Sequence, residues 1–413
     1  MNKRWSQSIF YGRRTYIMNY SVGIDVSKGK STVAVIDASE KLQEKVFEIQ
    51  HSQNGVEQLK EHLCNYSSGE VRIVMEATSH YHFPLLFSLQ EAGYFVSVSN
   101  ALAVKKYCDE DLRRAKNDQK DAIKLAMYCC EKWHRLSEFQ PQESVRNDLL
   151  FLSREYSKYV QVQTRLKLQL SDLVDKTFAG LKQLVNAETR FALLLDIYEK
   201  YWHAELVVAT KKQAFINDIE AIAKKNGHRV GKKIGEAIYE AAPQIVTLRP
   251  NDVFTQLAAT NCAQLLRQSI KATDAIITEM DTLAKTLPEY QTVSAMNGVG
   301  PKTRARLIAE IGNVTRFRNA SCLIAYCGID APPYQSGQLQ ADNWHISKRG
   351  NKYLRKVGYE VMRNLKTSRP KHDTAVYDYI VQKECEGKPK KLAKIAGLNK
   401  FLRIYYARVK EVM

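Results

Sequence analysis

Between residues 21 and 26 apolar and small or acidic positions alternate. Val22, Ile24 and Val26 fall on one face, Gly23 and Asp25 on the other, which is the period of two of a half-buried strand. Lys28 to Lys30 turns the chain into a second strand at 31–36, and 45–50 makes a third. A helical pattern at 55–64 follows, then a strand at 71–76, a helix at 81–92, a strand at 94–99 and a helix at 117–133. The order βββαβαβα predicts a mixed sheet covered by helices, because the last strands are reached by crossovers rather than hairpins.

The pattern then changes period. Leu149, Leu152, Tyr156, Tyr159, Gln163, Leu166, Leu170 and Leu173 are spaced alternately by three and four, a heptad seam with a polar interruption at Gln163. A second helix, 254–287, carries Leu257, Leu265, Leu266, Ile270, Ile277, Met280 and Leu283. These two helices predict an antiparallel coiled-coil arm, a dimer interface, or an intramolecular bundle. Between them, 178–246 reads as mostly helical, with a basic run at 224–233 that suits a solvated or phosphate-facing edge. Pro288 ends the second helix and opens a helical, basic, turn-rich region. The expected organisation is a basic leader (1–19), an α/β mixed-sheet domain of ribonuclease-H-like, RuvC-like type (20–140), an all-α coiled-coil region (141–288) and a helical carboxyl-terminal domain (289–413).

Length and charge narrow the function. At 413 residues the chain is long enough for two or three domains. Its net charge of +18 favours a polyanionic partner, DNA or RNA. A membrane surface also attracts cations, but there is no long apolar span and no amphipathic basic anchor helix. The eight cysteines lack CxxC spacing, so neither a zinc site nor a disulfide framework is expected and a reducing cytoplasm fits. Residues 1–17 lack the apolar core of a signal peptide.

Four acids carry the candidate chemistry. Asp25 lies in GIDVSK on the polar face of the first strand, and Glu76 ends the strand VRIVME. Asp118 and Asp121, in KNDQKDA, are three apart and share one helix face. Strand ends and an adjacent helix terminus can converge on one crevice of a mixed sheet. Carboxylates gathered there repel one another unless divalent cations neutralise them, and hard oxygen ligands select Mg²⁺ or Mn²⁺. Two such ions about 4 Å apart can clamp the attacking and leaving oxygens of a phosphodiester. Taken singly, each acid has a plain structural role open to it, such as a helix cap at Asp118.

The carboxyl-terminal region adds two motifs. In GVGPKTRARLIAEIG, Gly298 and Gly300 allow a tight turn, Pro301 starts a helix, and Lys302, Arg304 and Arg306 add charge. This reads as a helix-hairpin-helix-like element gripping a DNA backbone, or as an ordinary Gly-Pro helix start. Further on, Pro332 and Pro333 impose an extended approach to Ser336–Gly337. A serine hydroxyl is a poor nucleophile unless a base or metal assists it, and Ser-Gly pairs are common turns. Lys348, Arg349 and Arg355 read as phosphate contacts.

GIDVSK, MEAT and KNDQKDA resemble the DEDD domain of the insertion sequence 110 family of transposases, which includes the pilin-gene invertase and is understood as a family of bridge-RNA-guided recombinases. GVGPKTRARLIAEIG, FRNASCLIAYCGI, the SG pair, ISKRGNKYLR and the late GKPKKLAKIA resemble its second, transposase domain. The resemblance implies that Asp25, Glu76, Asp118 and Asp121 are the metal-binding acids and that Ser336 is the DNA nucleophile, in a composite site spanning a domain or subunit boundary. It implies donor and target DNA and a bridge RNA as partners, and a homodimer or homotetramer, since recombination pairs two sites. It also implies a cytoplasmic protein, associated with the nucleoid when bound to DNA. The rivals are a metal-dependent Holliday-junction-type nuclease that ignores Ser336, and a non-catalytic nucleic-acid-binding protein.

Overall fold

A computed structural model describes residues 19–67, 70–76, 81–99, 104, 107, 117–139, 144–331, 335–336, 339–340 and 345–413. Nearly all of the expected basic leader lies outside the described residues, as does Gly337. The chain forms two compact units, Met1–Pro141 and Gln142–Met413. The sequence reading divides the second of these at 288, whereas its long helices run through both of its cores.

In the first unit, β1 (Tyr20–Val26), β2 (Lys30–Asp37), β3 (Phe47–Gln50), β4 (Val71–Glu76) and β5 (Phe95–Ser99) form a sheet of order β3-β2-β1-β4-β5. The first three strands make an antiparallel meander, and β4 and β5 add in parallel. That mixed order is the ribonuclease-H-like arrangement expected from the strand and helix pattern. Helices α1 (Gln53–Leu63) and α2 (Phe83–Glu91) cover the face bearing Val22, Ile24, Ile73 and Val96, where Leu59, Leu63, Leu85 and Leu89 close the main core. Helix α3 (Asp118–Lys132) covers the opposite face, through Ala34, Ala122 and Ala126 and through Val74, Leu125 and Cys129.

The glycine of GIDVSK is what lets α3 lie so close. A Cβ at Gly23 would fall 2.2 Å from the Ala122 carbonyl oxygen and 2.3 Å from the Ala126 nitrogen. Backbone cannot retreat from such an overlap as a flexible side chain can, so Gly23→Ala must push helix and strand apart. The expected cost is about 3 kcal/mol, read as a drop of roughly 10 °C in the melting transition of this unit. An unchanged transition would contradict the close approach.

The second unit is helical. Helix α4 (Ser144–Thr177) and, after α5 (Phe191–Lys200), α6 (Lys212–Lys225) and α7 (Gly231–Ala241), helix α8 (Val253–Ala284) are its long members. They pair with each other in antiparallel fashion: Leu166 contacts Cys262 near one end, and Gln163 donates to the Ser269 carbonyl (2.9 Å) and Thr273 Oγ1 (2.7 Å) further along. The polar residue that interrupts the heptad seam is thus satisfied across the pair. At the far end the buried Arg146 guanidinium is paired with the buried Glu289 carboxylate.

The seam follows the heptad reading in part. Leu149 and Leu170 of the heptad and Leu266, Ile277 and Met280 of the second helix are buried, together with Ser153, Ser157, Ala259, Ala263 and Ser269, whereas Tyr159 of the heptad, and Leu257 and Leu265 of the second helix, are exposed. An α-helix turns every 3.6 residues, so a stripe read at 3.5 drifts off the contact face within a few turns. One core gathers the basal halves of α4 and α8 with α9 (Pro301–Ile311), α10 (Ala320–Cys327), α11 (Lys352–Ser368), α12 (Ala375–Cys385) and α13 (Lys390–Lys410). The other gathers their distal halves with the helices of residues 181–245.

Candidate active site

The strand register places the first two acids. Ile24 pairs with Met75 in parallel, so one step on Asp25 and Glu76 stand side by side at the carboxyl ends of β1 and β4, on strands ~4.8 Å apart. Side chains alternate across a strand. Asp25 therefore shares the face of Gly23, and Glu76 that of Val74, which is the face α3 covers.

Helix α3 runs antiparallel to β1. Near its carboxyl end Cys130 reaches the Ala38 carbonyl and Cys129 Sγ donates to the Arg72 carbonyl (3.4 Å), at the opposite end of the sheet from Asp25. Its amino end, bearing Asp118 and Asp121, therefore returns to the edge that holds Asp25 and Glu76. Consistent with this, the Lys30 ammonium at the start of β2 is held above its ordinary value mainly by Glu48, with a further contribution from Asp118. The capping role open to Asp118 is taken by Asn117, whose side chain accepts from the Gln119 N–H at 3.0 Å. Both aspartates stay in the first helical turn, where the macrodipole favours negative charge.

The sheet thus brings all four acids to one edge of one face. It does not close them into a coordination shell: among the described residues no three His, Cys, Asp or Glu side chains are near enough to hold one ion. The donor set, carboxylate oxygens alone on neighbouring strand ends and a helix terminus, fits a hard divalent cation. Burial pushes the Cys129 thiol up to about 12, so this cysteine on α3 offers no thiolate at neutral pH.

In the second unit Ser336 ends β6 (Gln335–Ser336), pairing antiparallel with Leu339 of β7 (Leu339–Gln340). Ser336 is thus the last residue of its strand, paired with the first residue of the next. The feet of this excursion are tied together. Ser347 N–H donates to the Asp330 carbonyl (2.8 Å), Lys348 N–H to the Gly328 carbonyl (3.0 Å), and Asn351 N–H to the Tyr326 carbonyl (2.6 Å). Gly350 allows the two backbones to meet, since a Cβ there would lie 2.1 Å from the Tyr326 oxygen.

Beneath the feet lies a polar network that sequence reading missed. The buried Glu310 carboxylate accepts from Ser153 Oγ (2.7 Å), Arg154 (2.9 Å) and Asn351 Nδ2 (2.9 Å). Asn351 in turn caps α11, accepting from the Tyr353 and Leu354 N–H groups. Glu310→Ala strands three donors, one of them a partly exposed arginine. It should lower the stability of this unit by about 3 kcal/mol, while Glu310→Gln, which keeps an acceptor, costs less. Denaturant titration checks this, and equal losses for the two variants would contradict the network.

The expected phosphate contacts divide. Lys348 and Arg349 are exposed beside the hairpin, and Lys302 is exposed although it reaches Asp274 at 3.0 Å. Arg304 and Arg306 depart from the expectation. Arg304 is paired with Asp281 (2.7 Å) and lies over the Tyr290 ring, while Arg306 is buried, paired with Glu360 (2.6 Å) and stacked on Tyr156. Both hold α9 in place. Arg355 donates to the Cys327 carbonyl at 2.8 Å and so caps the end of α10. The Gly298 turn, with φ +84°, packs against α11, and the Gly300 N–H is taken by Thr303 Oγ1 (2.9 Å). A cleft of about 390 Å³ does open at the amino end of α9, lined by Gly300, Lys302, Thr303, Arg306, Glu360 and Arg363.

Comparison with known proteins agrees with this layout. A transposase family model named for a DEDD domain and IS110 matches residues 22–179, the stretch that contains all four acids. A model described as "Transposase IS116/IS110/IS902 family" matches residues 290–377, which contain Ser336. The "Insertion element IS110 uncharacterized 43.6 kDa protein" of Streptomyces coelicolor is 20% identical over 70% of this chain and 70% of its own. The "Pilin gene-inverting protein" of Moraxella bovis is 22% identical over 84% of this chain and 82% of its own. With the acids in one matched segment, the serine in the other, and more than half of the sequence covered between them, the chain belongs to the IS116/IS110/IS902 family of transposases.

Proposed function

We propose that this transposase cuts and rejoins donor and target DNA through a transient covalent bond to Ser336, with the four acids of the first unit holding Mg²⁺ or Mn²⁺. The observation that carries the reading is the convergence of Asp25, Glu76, Asp118 and Asp121 on one edge of the sheet, in a chain whose second unit carries Ser336 at the end of a paired strand. Divalent cations bound there would supply charge stabilisation at the scissile phosphate.

The serine's part is a transesterification. Its Oγ attacks phosphorus, the hydroxyl proton leaves, one phosphodiester P–O bond breaks, and a sugar hydroxyl departs with a proton. The product is a phosphoserine ester of the same bond order as the phosphodiester lost. Attack by a sugar hydroxyl of the partner strand reverses the step, restoring a phosphodiester and a free serine. No water enters and no external energy source is required. Exposed Lys348 and Arg349, flanking the hairpin, are suited to hold the backbone near Ser336.

Inverting a gene requires that cut ends be rejoined, and one relative carries that activity in its name. This favours joining over the simple hydrolysis of a junction nuclease. A net charge of +18 gives the chain capacity for a second polyanion, in line with a bridge RNA that selects sites by base pairing. Exposed apolar residues along the long helices, among them Phe151, Val162, Leu168 and Leu265, suit a second copy of the chain and hence a homodimer or homotetramer.

The test incubates the purified chain with end-labelled donor and target DNA, RNA transcribed from the flanks of the element, and Mg²⁺. Joined donor–target products that require the RNA support the proposal. Free ends alone, formed with or without RNA, would assign the protein to the hydrolytic nucleases instead.

A further inference from the structure

The stretch between the two family matches, 180–289, holds a feature that the proposed reaction does not use. Helices α6 and α7 form a hairpin whose connecting segment reads KKNGHRVGKK over 224–233, with five lysines and arginines and no acid. The hairpin is tightly closed. A Cβ at Gly231 would fall 2.7 Å from Glu220 Cα, and one at Gly235 would fall 3.3 Å from Ile216 Cα. Ile219, Ala223, Ile234 and Ile238 bury its inner face, and Asn226 at the turn donates to Asp196 of α5 at 2.9 Å. The tip is therefore a rigid presentation of charge.

Lys224, Lys225, Arg229, Lys232 and Lys233 are all exposed at that tip. Lys225 reaches Asp196 at 3.5 Å, and the other four have no ion-pair partner among the described residues. Several lysines elsewhere on the same part of the chain are paired: Lys176 with Asp172, Lys182 with Asp175, and Lys200 with Asp218. Lys232 and Lys233 also stand in the first turn of α7, which contains no acid. The helix dipole disfavours cations there, and an anion against them would reverse the sign of that interaction. No ring of the hairpin is fully exposed for unpaired bases to stack on: Phe215 is buried, Tyr239 is half-buried, gives its hydroxyl to the Thr210 carbonyl and lies under Lys212, and His228 at the tip is half-buried. Cations without stacking platforms fit the backbone of a duplex rather than a splayed single strand.

We infer that the tip of the α6–α7 hairpin is a sequence-independent docking surface for the sugar-phosphate backbone of duplex DNA, remote in sequence from the residues of the reaction. This rests on the DNA-directed reading above but not on its chemistry, so binding is measured without divalent metal. The probes are a 30-base-pair random duplex DNA and an RNA hairpin of equal stem length. The full chain is compared with the exposed-charge variant K224Q/R229Q/K232Q/K233Q. A second variant, K158Q/K176Q/K200Q/K285Q, removes four lysines that are paired with neighbouring carboxylates and so lowers net charge equally.

For the hairpin variant, log affinity for the DNA should fall less steeply with log salt, by about two to four in slope, with affinity reduced at least roughly tenfold at low salt. The paired-lysine variant should follow the wild type, and the RNA should lose less than the DNA. Wild-type binding by the hairpin variant would overturn the inference and leave the proposed function standing. Equal loss in the two variants, or a larger loss on RNA, would overturn it as well. A wild-type chain that binds no duplex DNA would overturn the inference, while the function stands or falls separately on the RNA-dependent joining reaction.

Discussion

Asparagine at Asp25 should lower strand cleavage by on the order of 10³-fold or more while leaving duplex binding within about twofold of the wild type. Asp25 lies on the central strand of the sheet, beside Glu76 and on the face to which α3 returns Asp118 and Asp121. Asparagine keeps its shape and removes its charge, so one anionic oxygen donor is lost from the set. Hard cations bind through such donors, and a set of four acids has little redundancy when one stands at its centre. Cleavage of labelled donor DNA across a range of Mg²⁺ measures the effect. Partial recovery at high Mg²⁺ would agree with a weakened site, whereas full activity at every concentration would remove Asp25 from the chemistry.

Alanine at Ser336 should be more severe. With the attacking oxygen gone no covalent bond to DNA can form, and strand exchange should fall by on the order of 10⁴-fold or more. Binding of DNA should persist, because the substitution removes no positive charge. Ser336→Cys separates a chemical role from a structural one, since a thiol can still attack phosphorus, though poorly, while filling nearly the same space. Slow exchange by the cysteine variant with none by alanine is the expected pattern, read by quantifying joined product. Equal activity in the two would reduce Ser336 to a turn residue.

Much of this arrangement could be read before any coordinates. Alternation at 21–26 and the short crossovers predict the sheet, because a buried face repeats every second residue and leaves its signature in neighbouring positions. The elements that carry the four candidate acids were legible for the same reason, as each acid sits in a local motif on a recognisable strand or helix. What escaped reading depends on partners distant in sequence. Nothing local to GIDVSK reveals that Gly23 is required by the passage of α3, about a hundred residues later. Arg304 and Arg306 read as phosphate contacts because charge is visible in sequence, whereas Asp281 and Glu360, which claim them, are brought in only by packing. Glu310 and Asn351 lie on separate helical segments, and their meeting under the serine hairpin has no sequence signal at all. The heptad stripe misplaced Tyr159, which is exposed, because a pattern counted in sevens accumulates error along a helix that turns in 3.6.

The wild-type chain, with donor DNA, flank-derived RNA and Mg²⁺, is quenched in denaturant during the reaction, digested with protease, and its peptides are mapped by mass spectrometry. The account predicts a peptide bearing a nucleotide esterified to Ser336, absent from the Ser336→Ala protein. Cleaved DNA with free ends and no modified peptide, in equal amount from both proteins, would contradict it.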